Sequence, residues 1–265
     1  MTSEKDGGLL ASRDAQPVAV TNRQSRALFL LLGDHAGNLV PEGLGDLGLN
    51  ESDRDRHIAL DLGVSALGAR LSTLLHAPFV EQRYSRLVID CNRALGTDGS
   101  IAAVSDGTPV PANVGLTSVQ RAEREREVFA PYHAVISDLL TERDGVGDAS
   151  IIVSLHSFTP RMDGMDRPWQ VGVLYGGGDE RFARSLLASL QGQGDLVVGD
   201  NEPYRMDETD FTVPAHAFAA NRPYVEIEVR QDELASDAGL AMMAHVLKAA
   251  LENAAQSLDL AKPHL

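Results

Sequence analysis

The chain has 265 residues, 43% of them hydrophobic, enough to bury a sizeable core in one large α/β domain or in two small ones. Its 38 acidic residues against 23 lysines and arginines give a formal charge of −15, which excludes a general attraction to nucleic acid or to an anionic membrane; an anion has to be met by locally placed arginines. The single cysteine, Cys91, excludes an internal disulfide framework and a Cys-rich zinc site, and no apolar run approaches the roughly 20 residues of a membrane span, so a soluble cytoplasmic protein is expected.

Residues 1–22 lack the long apolar stretch of a secretory signal and read as a mobile arm, or as one packed in part, ahead of a domain spanning 23–265. Ala27–Leu32 (ALFLLL) is a continuous apolar run that stops at Gly33-Asp34-His35-Ala36-Gly37-Asn38, the pattern of a buried strand opening into a turn-rich loop. Ile58, Leu62, Leu67, Leu71 and Leu74 recur at helical spacing and predict a helix from His57 to about Leu75. The next strand is expected at Leu87–Cys91, crowded by Arg83, Arg86, Asp90, Asn92 and Arg93. Residues 97–115, rich in Gly, Pro and Asp, read as a long loop. A helix over about 117–140 follows, with Val128, Tyr132, Val135 and Leu139 on one face.

Further strands are expected at 150–155, 170–175, 195–198 and 223–229, with helices at about 179–191 and 233–256. Strands alternating with helices, without internal repeats or a linker, predict a single three-layer α/β/α domain with a central mixed, largely parallel sheet. In such sheets ligands sit beyond the carboxyl ends of strands.

Three strand ends carry polar groups: Asp34-His35, Asn92-Arg93 and His156-Ser157. One histidine after a buried strand is ordinarily a hydrogen-bonded structural residue, but two at strand ends of one sheet suit zinc, which is held by imidazoles and carboxylates with one position open for water. Asp53, Asp55 and His57 in DRDRH are further candidates, although acids there also suit the start of a helix. Asn92-Arg93 reads as an anion clamp, because the planar guanidinium pairs with a carboxylate through two hydrogen bonds, or as half of an ion pair with Asp90. In VEIEVRQDEL, Glu226 and Glu228 share one strand face; it either offers a carboxylate that acts as general base and then as acid beside a metal-bound water, or is an ordinary solvated face.

"GDHAGNLVP", "RYSRLVIDCNR", "VSLHSFTP", "DNEPY" and "VEIEVRQDEL", in this order, resemble the N-formylglutamate amidohydrolase family over roughly residues 25–255, in its branch with unassigned substrates. The family is similar to the zinc carboxypeptidases and to the aspartoacylase and succinylglutamate desuccinylase enzymes. The resemblance implies a three-layer α/β fold, Zn2+ held by His35 and His156, Asn92 and Arg93 on the substrate's carboxylate, and Glu228 as catalytic base; Arg86 either neutralises a second substrate anion or pairs with Asp90. Two departures stand out. The zinc carboxypeptidases take an acid ligand three residues after the first histidine, where this chain has Asn38; the formylglutamate enzymes have a DTDWH-like stretch where it has DRDRH, so Asp53 is the expected remaining ligand, with His57 and Asp55 behind it. "HSFTP" replaces a Met-Pro form. Arg167, Trp169, Tyr204 and His216 either line the pocket or serve structure. The expected activity is zinc-dependent hydrolysis of a small carboxylated amide, with a homo-oligomer left open; the reading from another class is a non-catalytic small-anion-binding protein.

Overall fold

The computed structural model describes residues 8–194 and 196–260. Phe29–Gly33 (β2), a continuous apolar run, and Ile151–Phe158 (β4), which carries Ser154, His156 and Ser157 among its apolar residues, are buried along their whole length, as strands in a two-sided sheet should be. With β1 (Val18–Thr21), β3 (Phe79–Gln82), β5 (Val171–Leu174), β6 (Val198–Asp200) and β7 (Tyr224–Arg230) they form one sheet of order β1-β3-β2-β4-β7-β5-β6. The pairs β3/β2, β2/β4, β4/β7 and β5/β6 are parallel, while β1/β3 and β7/β5 are antiparallel. The sheet is mixed and largely parallel, as expected.

A short helix α1 (Glu51–Arg54) precedes α2 (Val64–Leu75). On one face α2 packs against α6 (Asp237–Ser257), which also packs on α5 (Arg181–Gln191). On the other, α4 (Ala130–Gly145) lies against β1 and β3. It is reached from α3 (Ser118–Arg124), whose start carries a Thr117–Gln120 capping box, through a π-helical turn at Glu125–Phe129. That turn stands directly ahead of Pro131, which has no N–H to give to the ladder.

Three expectations are corrected. The helix predicted from His57 begins only at Val64: Gly63 sits at φ 83°, and a side chain there would also meet Leu234 at 2.6 Å. Residues 18–21 of the expected arm pair with β3, from Val18 opposite Gln82 to Thr21 opposite Phe79, since this β-branched segment covers an otherwise open sheet edge; residues 1–7 lie outside the described residues.

The third correction concerns Leu87–Cys91, which is no strand but a buried irregular segment. Its apolar side chains join the core while its carbonyls find other partners than a ladder. Asn113 Nδ2 donates to Leu87 O at 2.9 Å, and Arg124 Nη1 donates to Val88 O at 2.9 Å and to Asn113 Oδ1 at 2.7 Å. Arg124, only 1% exposed, thus replaces a neighbouring strand. Arg124→Met is expected to lower unfolding free energy by roughly 2–5 kcal/mol in urea titration, because unpaired buried acceptors cost about 1–3 kcal/mol each. A loss within about 0.5 kcal/mol, the ordinary range for surface changes, would show that the segment holds itself.

Candidate active site

β2 delivers Asp34 and His35 at its carboxyl end, and the turn that follows is pressed against the segment after β3, where a side chain on Gly37 would fall 2.1 Å from Arg83 O. Leu39 N donates to Arg83 O at 3.0 Å, and Ser85 N to Leu39 O at 2.8 Å. Asp61 N donates to His35 O at 2.9 Å, which brings the residue just ahead of α2 beside the β2 end. From the neighbouring strand, His156 points to the same place. Parallel register sets Ser154 opposite Glu226 and His156 opposite Glu228, so four polar side chains share one sheet face.

His35, Asp61 and His156 converge, each 3–4% exposed, and one donor atom from each lies within 4.8 Å of the others. His156 Nδ1 stands 2.9 Å from Asp61 Oδ2, and His35 Nδ1 stands 3.5 Å from the same oxygen without forming a hydrogen bond. The far nitrogens are anchored. His35 Nε2 donates to Asp90 Oδ1 at 2.7 Å, and His156 Nε2 lies 3.1 Å from Ser154 Oγ. Arg86 closes the ring: Nη2 and Nε reach Asp90 Oδ2 at 2.7 and 3.1 Å, and Nη1 lies 3.4 Å from Asp61 Oδ1. Tyr132 of α4 donates to Asp34 Oδ1 at 2.5 Å from behind.

Burial works against charge on these groups, and their mutual attraction outweighs it. Both Asp61 and Asp90 stay below the usual carboxylate range despite burial, Asp61 through His35 and His156, Asp90 through Arg86 and His35. Burial and Arg86 press the His35 value down, but Asp90 and Asp61 raise it overall; His156 is raised against burial by Glu226, Asp34 and Asp61. Glu226 and Glu228 behave oppositely: burial dominates and pushes them up to about 7 and about 8. Glu226 Oε2, Glu228 Oε2 and His35 Nδ1 are buried with no hydrogen-bond partner among the described residues.

His35, Asp61, His156, Glu226 and Glu228 line a cavity of about 400 Å³, whose far wall is formed by residues of 204–210 and which His57 and Asp106 also line. A sequence profile of the N-formylglutamate amidohydrolase family matches residues 27–235. The chain belongs to that family, a family of amide-hydrolysing enzymes. A crystal structure of a gene product of Agrobacterium tumefaciens is similar at 31% identity, with a TM-score of 0.92 over 95% of this chain and 99% of that one. The N-formylglutamate amidohydrolase of Ralstonia eutropha, at 19% identity, shares the fold with a TM-score of 0.67 over 92% of this chain and 99% of its own. No curated protein sequence matches the chain.

Of the residues expected to act together in this family member, the structure brings His35, His156, Glu228, Asn92, Arg93 and Arg86 to one cavity. Asp53 is elsewhere: Asn50 caps α1 by accepting from Asp53 N and donates to Asp53 Oδ2 at 2.7 Å, so the acid belongs to a helix start. Asp55 ends the same helix. His57 lines the pocket, yet its Nε2 faces Asp106 Oδ2 at 3.3 Å and it is not in the converging trio. The third member is Asp61, which is not among the expected ligands; a lone acid in the apolar run IALDLGV is its signal. Arg93 pairs with Asp210 at 2.7 Å rather than with Asp90. Tyr204 lines the pocket, its hydroxyl accepting from Arg167 Nη1 at 2.9 Å beneath a stacked guanidinium. Trp169 packs instead beside Gly199. The far wall crosses bare backbone: side chains on Gly172 and Gly199, paired across β5 and β6, would stand 2.1 and 2.6 Å from Glu202 O.

His216 serves the second layer. It stacks on His133, with Nε2 2.9 Å from His133 Nδ1, while His133 Nε2 donates to Cys91 O at 3.0 Å, next to Asn92. Burial, then the charge of His133, lowers His216 from 6.5 to about 4. The unfolded chain therefore binds a proton between those values that the folded chain refuses, so this contribution is present above pH 6.5 and lost as pH falls towards 4. Denaturant midpoints measured across this window should fall less steeply in His216→Gln than in the parent. Parallel curves would remove the pair from the acid response.

Proposed function

We propose that the chain is a zinc-dependent amidohydrolase cleaving the amide bond of a small N-acyl amino acid, with N-formyl among the acyl groups, or of a similar carboxylated amide. The observation that carries the reading is the buried trio His35, Asp61 and His156, with its converging donors and the unpartnered Nδ1 of His35. Two imidazoles and a carboxylate are a donor set that zinc takes with a position left open. Hydrogen bonds from the far ring nitrogens to Asp90 and Ser154 suit the orientation of ligand histidines. When bound, zinc supplies Lewis-acid chemistry, polarising an amide carbonyl and lowering the pKa of water.

The chain's own groups then have separable tasks. Glu228, facing the cavity beside His156, takes a proton from the attacking water at its unpartnered Oε2 and delivers it to the departing amine nitrogen as the C–N bond breaks. With a cation held by the trio, Glu228 would keep its carboxylate form over the protonated one that burial alone selects. Arg86, engaged by Asp90 and Asp61, holds that ring of charges in place. The substrate's carboxylate faces the arginine-bearing wall formed by Arg93 and residues 204–210. A cavity of about 400 Å³ suits a small amide.

Metal reconstitution followed by elemental analysis should give about one zinc per chain, as four-coordinate sites bind one ion. His35→Ala, His156→Ala and Asp61→Asn should each abolish it, and Asp53→Asn should not. Retained zinc in the three folded variants would reject the trio as the metal centre. Glu228→Gln should keep zinc but lose on the order of 100-fold or more of its hydrolysis of N-acyl amino acids, because proton-transfer groups typically contribute about 100- to 10,000-fold. Full activity in that variant would move the proton transfer elsewhere.

A further inference from the structure

Three arginines line the cavity, Arg86, Arg93 and Arg205, against six carboxylates. An anionic substrate entering so acidic a pocket needs a guanidinium whose charge is not already matched. Arg86 is matched by Asp90 and Asp61. Arg93 gives Nη1 to Asp210 Oδ1 at 2.7 Å, and the other oxygen of Asp210 accepts from Asp207 N at 2.9 Å. The amide oxygen of Asn92 is also spent, accepting from Phe211 N at 3.1 Å and Thr212 N at 2.9 Å. Asn92 and Arg93 therefore fasten the loop 207–212 to the site.

Arg205 is different. It lines the same cavity with no ion pair or hydrogen bond among the described residues. Its backbone is held on both sides: Tyr204 is fixed through Arg167, and Met206 is buried, its carbonyl lying where a side chain on Gly176 would stand 3.1 Å away. A free guanidinium on an anchored backbone is suited to receive a planar carboxylate through two parallel bonds. We propose that Arg205 is the group that recognises the substrate's carboxylate, and that Asn92 and Arg93 build the wall that presents it. The proposal rests on the reading above for the class of substrate.

The probe is glutarate, titrated calorimetrically at low salt into the full chain as purified, with zinc content measured for every variant. Arg205→Ala should weaken glutarate binding by about 10- to 100-fold, the effect of losing a charge-assisted bidentate contact. Arg205→Lys should recover only part of this, since the ammonium keeps the charge and loses the fork. Arg70→Ala, on α2, should bind like the parent, and Arg93→Ala should lower the unfolding midpoint. No glutarate binding by the parent, unchanged binding in Arg205→Ala, or an equal loss in Arg70→Ala overturns the proposal. So does a loss in Arg93→Ala as large as in Arg205→Ala with an unchanged unfolding midpoint. If Arg205→Ala loses glutarate while the parent hydrolyses no N-acyl amino acid, the anchor stands and the hydrolase reading fails.

Discussion

Asp61 holds the site together because one buried carboxylate answers two imidazoles and a guanidinium. A carboxylate removed from water is costly unless its partners are near and well placed, and each of those partners is fixed by a different part of the chain. His35 comes from the end of β2, His156 from β4, and Arg86 from the irregular segment after β3. Moving any of them leaves an unmatched charge in a buried place. The surrounding geometry is accordingly set by electrostatic matching as much as by packing.

This explains which parts could be read from residues alone. β2, β4 and β7 were legible because their apolar runs and alternations are local facts, and His35, His156 and Glu228 were legible as polar groups attached to them. Asp61 was not, because Ile58, Leu62 and Leu67 continue a helical period across it; the break is a left-handed turn at Gly63, a position packed against Leu234 far along the chain. Asp53 attracted attention through its motif, but Asn50 three residues earlier supplies an ordinary cap. Leu87–Cys91 has the composition of a strand, and nothing local announces that Arg124 and Asn113 will satisfy its carbonyls from outside a sheet. The ion pair of Arg93 was hidden likewise, since its partner Asp210 lies over a hundred residues away.

The irregular segments around the cavity are held by side-chain hydrogen bonds to backbone rather than by ladders. Arg124 holds the carbonyl of Val88, Asn92 the N–H groups of Phe211 and Thr212, and His133 the carbonyl of Cys91. Such ties give loops the definition that regular structure gives strands, at the cost of depending on single side chains. They also leave the inner sheet face beside β4 and β7 open for a cavity that a long helix would fill.

The bare trough formed by Gly172 and Gly199 has a bearing on how such enzymes diverge. Glu202 crosses the sheet where two methyl groups are missing, and the wall bearing Tyr204 and Arg205 continues directly from it. A chain with alanine at either place would keep every charged group of the cavity and still present that wall from a new position. Preference for one amide over another can therefore drift through substitutions that never meet the substrate, and two relatives with identical reactive residues need not share a substrate.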